Sequence, residues 1–155
     1  MLCTGRLPAS PSEEAAVPVY AREFWNRTGL FLEQGARYEL TAAGTWQDGS
    51  IVCGPEGWSR WLYLPLKYTR RVKDKPWFAL IAEIADAANP DVTGVSPPMT
   101  RIYAGQRAGV TVTTDPLKKG GYLFCYGNDS TFTLWKKDLF YRNNRGSLSL
   151  TVKRL

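Results

Sequence analysis

The sequence contains no histidine. That removes the usual general base near neutral pH, the Ser-His and Cys-His nucleophile pairs and the commonest zinc ligand, so most hydrolase mechanisms are excluded at the outset. Cysteine is nearly as scarce. Cys3, Cys53 and Cys125 are too far apart for a Cys-x-x-Cys metal or redox motif, and an odd count argues against a secreted disulfide framework. A reducing compartment fits this usage, with a Cys53–Cys125 pair left open. Long apolar runs are also missing: nothing approaches the ~18 residues of a membrane helix, and residues 1–20 hold Pro, Ser and Glu where a signal peptide needs a continuous apolar stretch. The expectation is a protein without a membrane span, cytoplasmic or exported without a conventional signal peptide.

What is present describes one domain. The chain has 155 residues, 44% of them apolar, with six Trp, eight Tyr and six Phe. A chain of this size buries about 70% of the surface its unfolded form exposes. Lys and Arg number 20 against 14 Asp and Glu, a net charge of +6. The basic residues are dispersed as pairs (Arg70-Arg71, Lys118-Lys119, Lys136-Lys137), which argues against a nucleic-acid stripe.

Residues 1–16 read as a flexible N-terminal arm, because Pro8, Pro11, Glu13 and Glu14 stand among Ala and Ser with little to bury. From Val17 to the C-terminus at Leu155 the pattern has period two. Val17 and Val19, Gly29–Leu32 and Arg37–Ala43 read as strands separated by Gly-containing turns. In the third of these, Tyr38, Leu40 and Ala42 alternate with Arg37, Glu39 and Thr41, giving one buried and one wet face. The run Trp77–Ile84 has no assignable period; its length and the preceding Pro76 favour a buried strand. After a Pro/Gly/Asn loop come Arg101–Ala104, Gly109–Thr113, Gly121–Tyr126, Thr131–Trp135 and Gly146–Val152, all rich in β-branched and aromatic residues and bounded by turn signals. The expected fold class is all-β: residues 17–155 form a single antiparallel β-sandwich or jelly roll.

A sandwich carries its chemistry in the loops at its strand ends. Two segments there are rich in side-chain oxygen: Tyr126-Gly-Asn-Asp129, and Phe140-Tyr-Arg-Asn-Asn144-Arg-Gly146. Calcium takes six to eight oxygens from carboxylates, amides and backbone carbonyls, so an Asp on one loop and paired Asn on another suit a hard cation. The same residues are ordinary turn formers, since their side chains bond the nearby backbone. Composition leaves both readings standing.

The ordered set Gly44-Thr-Trp46, Gly54-Pro-Glu-Gly57, Leu80–Ile84, Gly121-Tyr-Leu, Asn128-Asp129 and Tyr141-Arg-Asn-Asn144-Arg-Gly-Ser-Leu-Ser-Leu-Thr-Val152 resembles the calcium-dependent galactose-binding bacterial lectins of galactose-binding-domain-like fold. The resemblance spans residues 25–152. It implies a calcium ion held by Asp129, Asn143, Asn144, the carbonyl of Phe140 and a carbonyl near Asp48 or Gly49. It also implies a carbohydrate partner, galactose or another polyol, whose hydroxyls chelate the same ion beside Asp129, Ser130 and Asn143, and a homo-oligomeric assembly. Two features depart from the family. Trp61-Leu62 stands where the family has a His-Pro that holds the hexose, and the segment between Asp129 and Phe140 is longer, with Trp135–Asp138 inserted, so the sugar-facing surface differs.

Trp58, Trp61 and Tyr63 have two readings, as a stacking platform for a pyranose ring or as core. Arg60 and Arg142 flank the two loops, where they would bond hydroxyls or an acidic sugar or simply be solvated. The first alternative to a lectin is a non-catalytic structural or protein-interaction sandwich. The second is binding of an anionic polymer or nucleic acid through the basic pairs and exposed Trp. No enzyme is expected: Asp48, Glu56, Asp129 and Asp138 could supply a carboxylate pair, but no spacing argument brings any two together.

Overall fold

Period-two burial is what the central strands show: Tyr38, Leu40 and Ala42 on one, and Leu148, Leu150 and Val152 on another, point inward while their neighbours are more exposed. The structure is a computed structural model that describes residues 13–85, 100–112, 119–131 and 139–155. Among these residues ten strands form: β1 (Glu14–Tyr20), β2 (Asn26–Glu33), β3 (Arg37–Ala43), β4 (Trp46–Asp48), β5 (Ile51–Cys53), β6 (Leu80–Ala85), β7 (Thr100–Tyr103), β8 (Arg107–Thr111), β9 (Gly120–Gly127) and β10 (Arg145–Arg154). Two 3₁₀ segments, Trp61–Thr69 and Phe140–Asn143, complete the regular structure.

The strands make two antiparallel sheets. One is six-stranded in the order β5-β4-β10-β3-β8, with β1 also pairing β10; the other is four-stranded in the order β2-β9-β6-β7. The main core lies between them: Leu40, Leu148, Leu150 and Val152 from the first sheet pack with Leu32, Leu80, Ile84 and Leu123 from the second. The antiparallel β-sandwich expected from the strand pattern is therefore the fold that forms.

A second, smaller core covers the outer face of the four-stranded sheet and positions the functional loops. Ile81 and Tyr126 turn outward from β6 and β9 and are buried by Val72 and Tyr141, with Phe24 and Trp25 packed against them. The Arg71 guanidinium carbon lies 3.4 Å from the Tyr126 ring centroid and 4.0 Å from those of Phe24 and Trp25, and its Nη1 donates to the Phe24 carbonyl at 2.5 Å. Because β6 is buried on both faces, its sequence shows no alternation and is apolar except for Glu83, whose carboxylate accepts from Arg101 at 2.7 Å and from the Tyr126 hydroxyl at 2.5 Å.

Several boundaries differ from the sequence reading. β1 begins at Glu14, which pairs with Lys153, so the last three residues of the expected arm are strand; ladder hydrogen bonds to β10 override the weak local composition. Residues 1–12 lie outside the described residues. In the run from Trp77 only Leu80–Ala85 is strand, because Phe78 adopts a positive φ of 55° just before it. The β4–β5 hairpin was not expected at all. Of the proposed strand Thr131–Trp135, all but Thr131 lies outside the described residues, as do Cys3 and Asp138. Cys53 and Cys125 are both free and buried, which closes the question of a bond between them.

Candidate functional site

Three chain segments converge at one end of the sandwich. The first is the β4–β5 hairpin. Asp48 pairs with Ile51 across the two-residue turn Gly49-Ser50, and Gly49 has φ of 57°, the left-handed conformation such a turn needs. A side-chain carbon at Gly49 would also come within 3.3 Å of the Asn143 amide nitrogen, so glycine lets the hairpin approach the second Asn loop.

The second segment is the exit of β9. Asn128 is fully buried and its side chain fastens the neighbouring 70–76 loop: its Oδ1 accepts the Val72 amide at 2.8 Å, and its Nδ2 donates to the carbonyls of Val72 at 2.9 Å, Lys75 at 3.2 Å and Pro76 at 2.9 Å. With Asn128 fixed, Asp129 is held inward and is only 4% exposed.

The third segment is the end of the 3₁₀ turn Phe140–Asn143. Tyr141 anchors it, buried in the outer core and donating from its hydroxyl to the Gly127 carbonyl at 2.7 Å. That anchor brings Asn144, 0% exposed, against Asp129: Asn144 Nδ2 donates to Asp129 Oδ2 at 2.7 Å, while the Ser130 amide donates to Oδ1 at 2.6 Å.

The electrostatics of this junction are unusual for a turn. Burial pushes the Asp48 carboxyl up to about 6, the charge on Asp129 pushes it the same way, and the Trp58 indole N–H bonding its Oδ2 at 2.9 Å opposes both. Burial also raises Asp129, against the hydrogen bonds from Asn144 and Ser130. Alongside these two carboxylates, the buried Oδ1 of Asn144 has no hydrogen-bond partner among the described residues. Leaving such an acceptor unmet costs roughly 1–3 kcal/mol.

A pH dependence follows for the metal-free protein. A carboxyl whose folded pKa lies above its unfolded value favours folding while protonated. The Asp48 contribution is therefore complete below about pH 4 and is lost as pH rises through about 6. After discounting for partial solvent screening the loss is about 2 kcal/mol. Thermal midpoints of chelator-treated protein from pH 4 to 7 should fall more steeply in wild type than in Asp48→Asn. Parallel profiles would show that Asp48 does not titrate in that interval.

Above the junction opens a cleft of ≈ 520 Å³ whose lining includes Gln47, Asn143, Asn144 and the arginines 22, 142 and 145. The expected site residues therefore divide. Asp129 and Asn144 are hydrogen-bonded, Asn143 lines the cleft next to Asn144, and Gly49 faces Asn143. The Gly49 carbonyl, however, already accepts the Gln47 side-chain amide at 2.7 Å. Phe140 opens the 3₁₀ turn, with its side chain 38% exposed. Ser130 bonds Asp129 through its amide and pairs with Arg70 in an isolated bridge.

Trp58 is half-buried, stacked on Trp77 at 5.8 Å, edge-on to Tyr63 at 5.3 Å, and committed through its indole N–H to Asp48. Trp61 is 76% exposed at the start of the first 3₁₀ segment, and Arg60 beside it is exposed. Two groups were missed: the Asp48 carboxylate as opposed to a carbonyl near it, and Arg22 and Arg145. The Asp48-Gly49 dipeptide between Trp46 and Ile51 is a hairpin signal that would have placed the first. Nothing local marks the arginines.

Among the described residues no three His, Cys, Asp or Glu side chains form a metal cluster. The donors gathered here are two carboxylates and two Asn amides, an all-oxygen set.

No protein-family model matches the chain, and no curated protein matches it. Among solved structures the chain is similar to one described as "EclA N-terminal domain; PllA-like lectin", with 19% identity, a TM-score of 0.54, and coverage of 90% of this chain and 95% of that one. At that identity the likeness is one of fold: a lectin-like β-sandwich.

Proposed function

We propose that the protein is a non-catalytic, calcium-dependent carbohydrate-binding module, with its site at the junction of the β4–β5 hairpin, the β9 exit and the Asn143-Asn144 turn. The observation that carries this reading is the buried, unpartnered Oδ1 of Asn144 beside two carboxylates, both raised by burial and Asp48 also by the charge on Asp129. A turn built only for structure has no reason to place a buried acid, a half-buried acid and an unmet acceptor together. An all-oxygen donor set for a hard divalent cation does.

In this reading Asp129, Asn143, Asn144 and the Phe140 carbonyl hold the ion, as the sequence resemblance implies. The Asp48 carboxylate, which is charged and lies at the same hairpin, would serve as a further ligand in preference to the Gly49 carbonyl, which already accepts from Gln47. Trp58 orients Asp48 through its indole N–H. Bound calcium supplies a positive centre that accepts vicinal sugar hydroxyls. Exposed Trp61 offers an aromatic face for the apolar side of a pyranose. The solved lectin of similar fold supports a carbohydrate as the ligand class.

The test is calorimetric. Galactose titrated into calcium-loaded protein should give binding heat that disappears when the ion is chelated. Absence of heat from calcium itself, added to chelator-treated protein, would overturn the reading.

A further inference from the structure

The cleft above the candidate calcium site carries a charge pattern that a neutral sugar does not use. Arg22 enters it from the turn after β1, Arg142 from the 3₁₀ turn and Arg145 from the start of β10, and neither Asp nor Glu is among the residues that line it. Backbone pairing fixes this convergence. The Ala21 amide donates to the Gly146 carbonyl at 3.0 Å, bringing Arg22 beside β10, and Arg145 pairs with Gln47 of β4. Arg22, Arg142 and Arg145 are all solvent-exposed, and among the described residues Arg22 and Arg145 have no ion-pair partner.

Charge balance makes the pattern informative. A divalent cation would offset the two carboxylates of Asp48 and Asp129, which would leave the guanidinium groups of Arg22 and Arg145 at the mouth without a counter-charge among the described residues. Like charges held together by the backbone repel, and a bound anion removes that cost. Arginine presents a planar fork of donors that matches a carboxylate or sulfate bidentately.

We propose that the saccharide is anionic, carrying a carboxylate or sulfate that Arg22 and Arg145, with Arg142, recognise while its hydroxyls meet the ion. The proposal rests on the calcium-dependent reading above and narrows it from sugars in general to acidic ones. A cleft of ≈ 520 Å³ accommodates one or two sugar rings, which favours a saccharide over a nucleic-acid strand.

The test uses matched probes on the full-length, calcium-loaded protein: galactose, galacturonate and galactose 6-sulfate, with glucose and glucuronate as a second pair. At low salt the acidic member of a pair should bind roughly tenfold or more tightly than its neutral counterpart, the factor equivalent to one strong charge contact. Galacturonate against galactose 6-sulfate separates carboxylate from sulfate recognition. In the double variant R22Q/R145Q the acidic preference should vanish while calcium uptake persists. Equal or tighter binding of the neutral members, or a preference that survives in R22Q/R145Q, would overturn this proposal and leave the calcium-dependent reading intact. Failure to take up calcium would overturn both. Calcium-independent binding of a DNA oligonucleotide that competes with galacturonate would replace the saccharide with a polyanion.

Discussion

Calcium added to chelator-treated protein should raise the thermal midpoint, and Asp129→Ala should abolish the rise. An ion that binds the folded chain alone, at a hundredfold excess over its dissociation constant, adds about 2.7 kcal/mol, which for a chain of this size corresponds to about 5–10 °C. The Ala variant also strands the Asn144 and Ser130 donors that Asp129 accepts, so its baseline stability will drop. Asp129→Asn separates the two effects. It keeps the shape, one acceptor and one oxygen donor, and removes a charge that opposes ionisation of Asp48, so the metal-free variant should be more stable than Asp129→Ala while its calcium response is weakened by the lost charge. A full response in Asp129→Ala would exclude Asp129 as a ligand.

The second large effect is expected at its neighbour. Asn128→Ala should destabilise the protein by roughly 3–5 kcal/mol, because four hydrogen bonds are lost and the polar groups of Val72, Lys75 and Pro76 that they served are left unmet in partly or fully buried positions. The same change should loosen the 70–76 loop, whose Arg71 amide donates to the Asp129 carbonyl at 3.0 Å, and so weaken calcium binding indirectly. Urea unfolding of the variant is the direct measurement. A loss below about 1 kcal/mol would mean that the loop holds its position without this clamp.

Adjacent residues of the Asn-Asp pair thus do different work, and the difference marks how far the sequence could be read. β3 and β10 were legible because each buries one face, which writes period two into the chain. β4 and β5 were not, since a three-residue strand is too short to display a period. Asp129, Asn143 and Asn144 could be named from their oxygen chemistry and their place in a recognisable order. The Asp48 carboxylate could not be paired with Asp129 beforehand, because their approach depends on β4 docking against the first residues of β10. Arg22 was invisible for the same reason: only the pairing of β1 with β10 carries it to the cleft. The structural role of Asn128 likewise required knowing that the Val72–Pro76 backbone packs across the end of β9.

The register of β1 on β10 also decides how the domain can be strung together. Glu14 faces Lys153 at one end of this ladder, and Tyr20 faces Ser147 at the other, next to the arginine-lined mouth. Glu14 and Lys153 therefore lie side by side, about 20 Å along the ladder from the proposed binding face. A tether attached at Leu155 would leave the proposed binding mouth unobstructed, and modules joined there could engage the same polymer together. Weak individual contacts then gain avidity through local concentration, with linker length as the controlling variable.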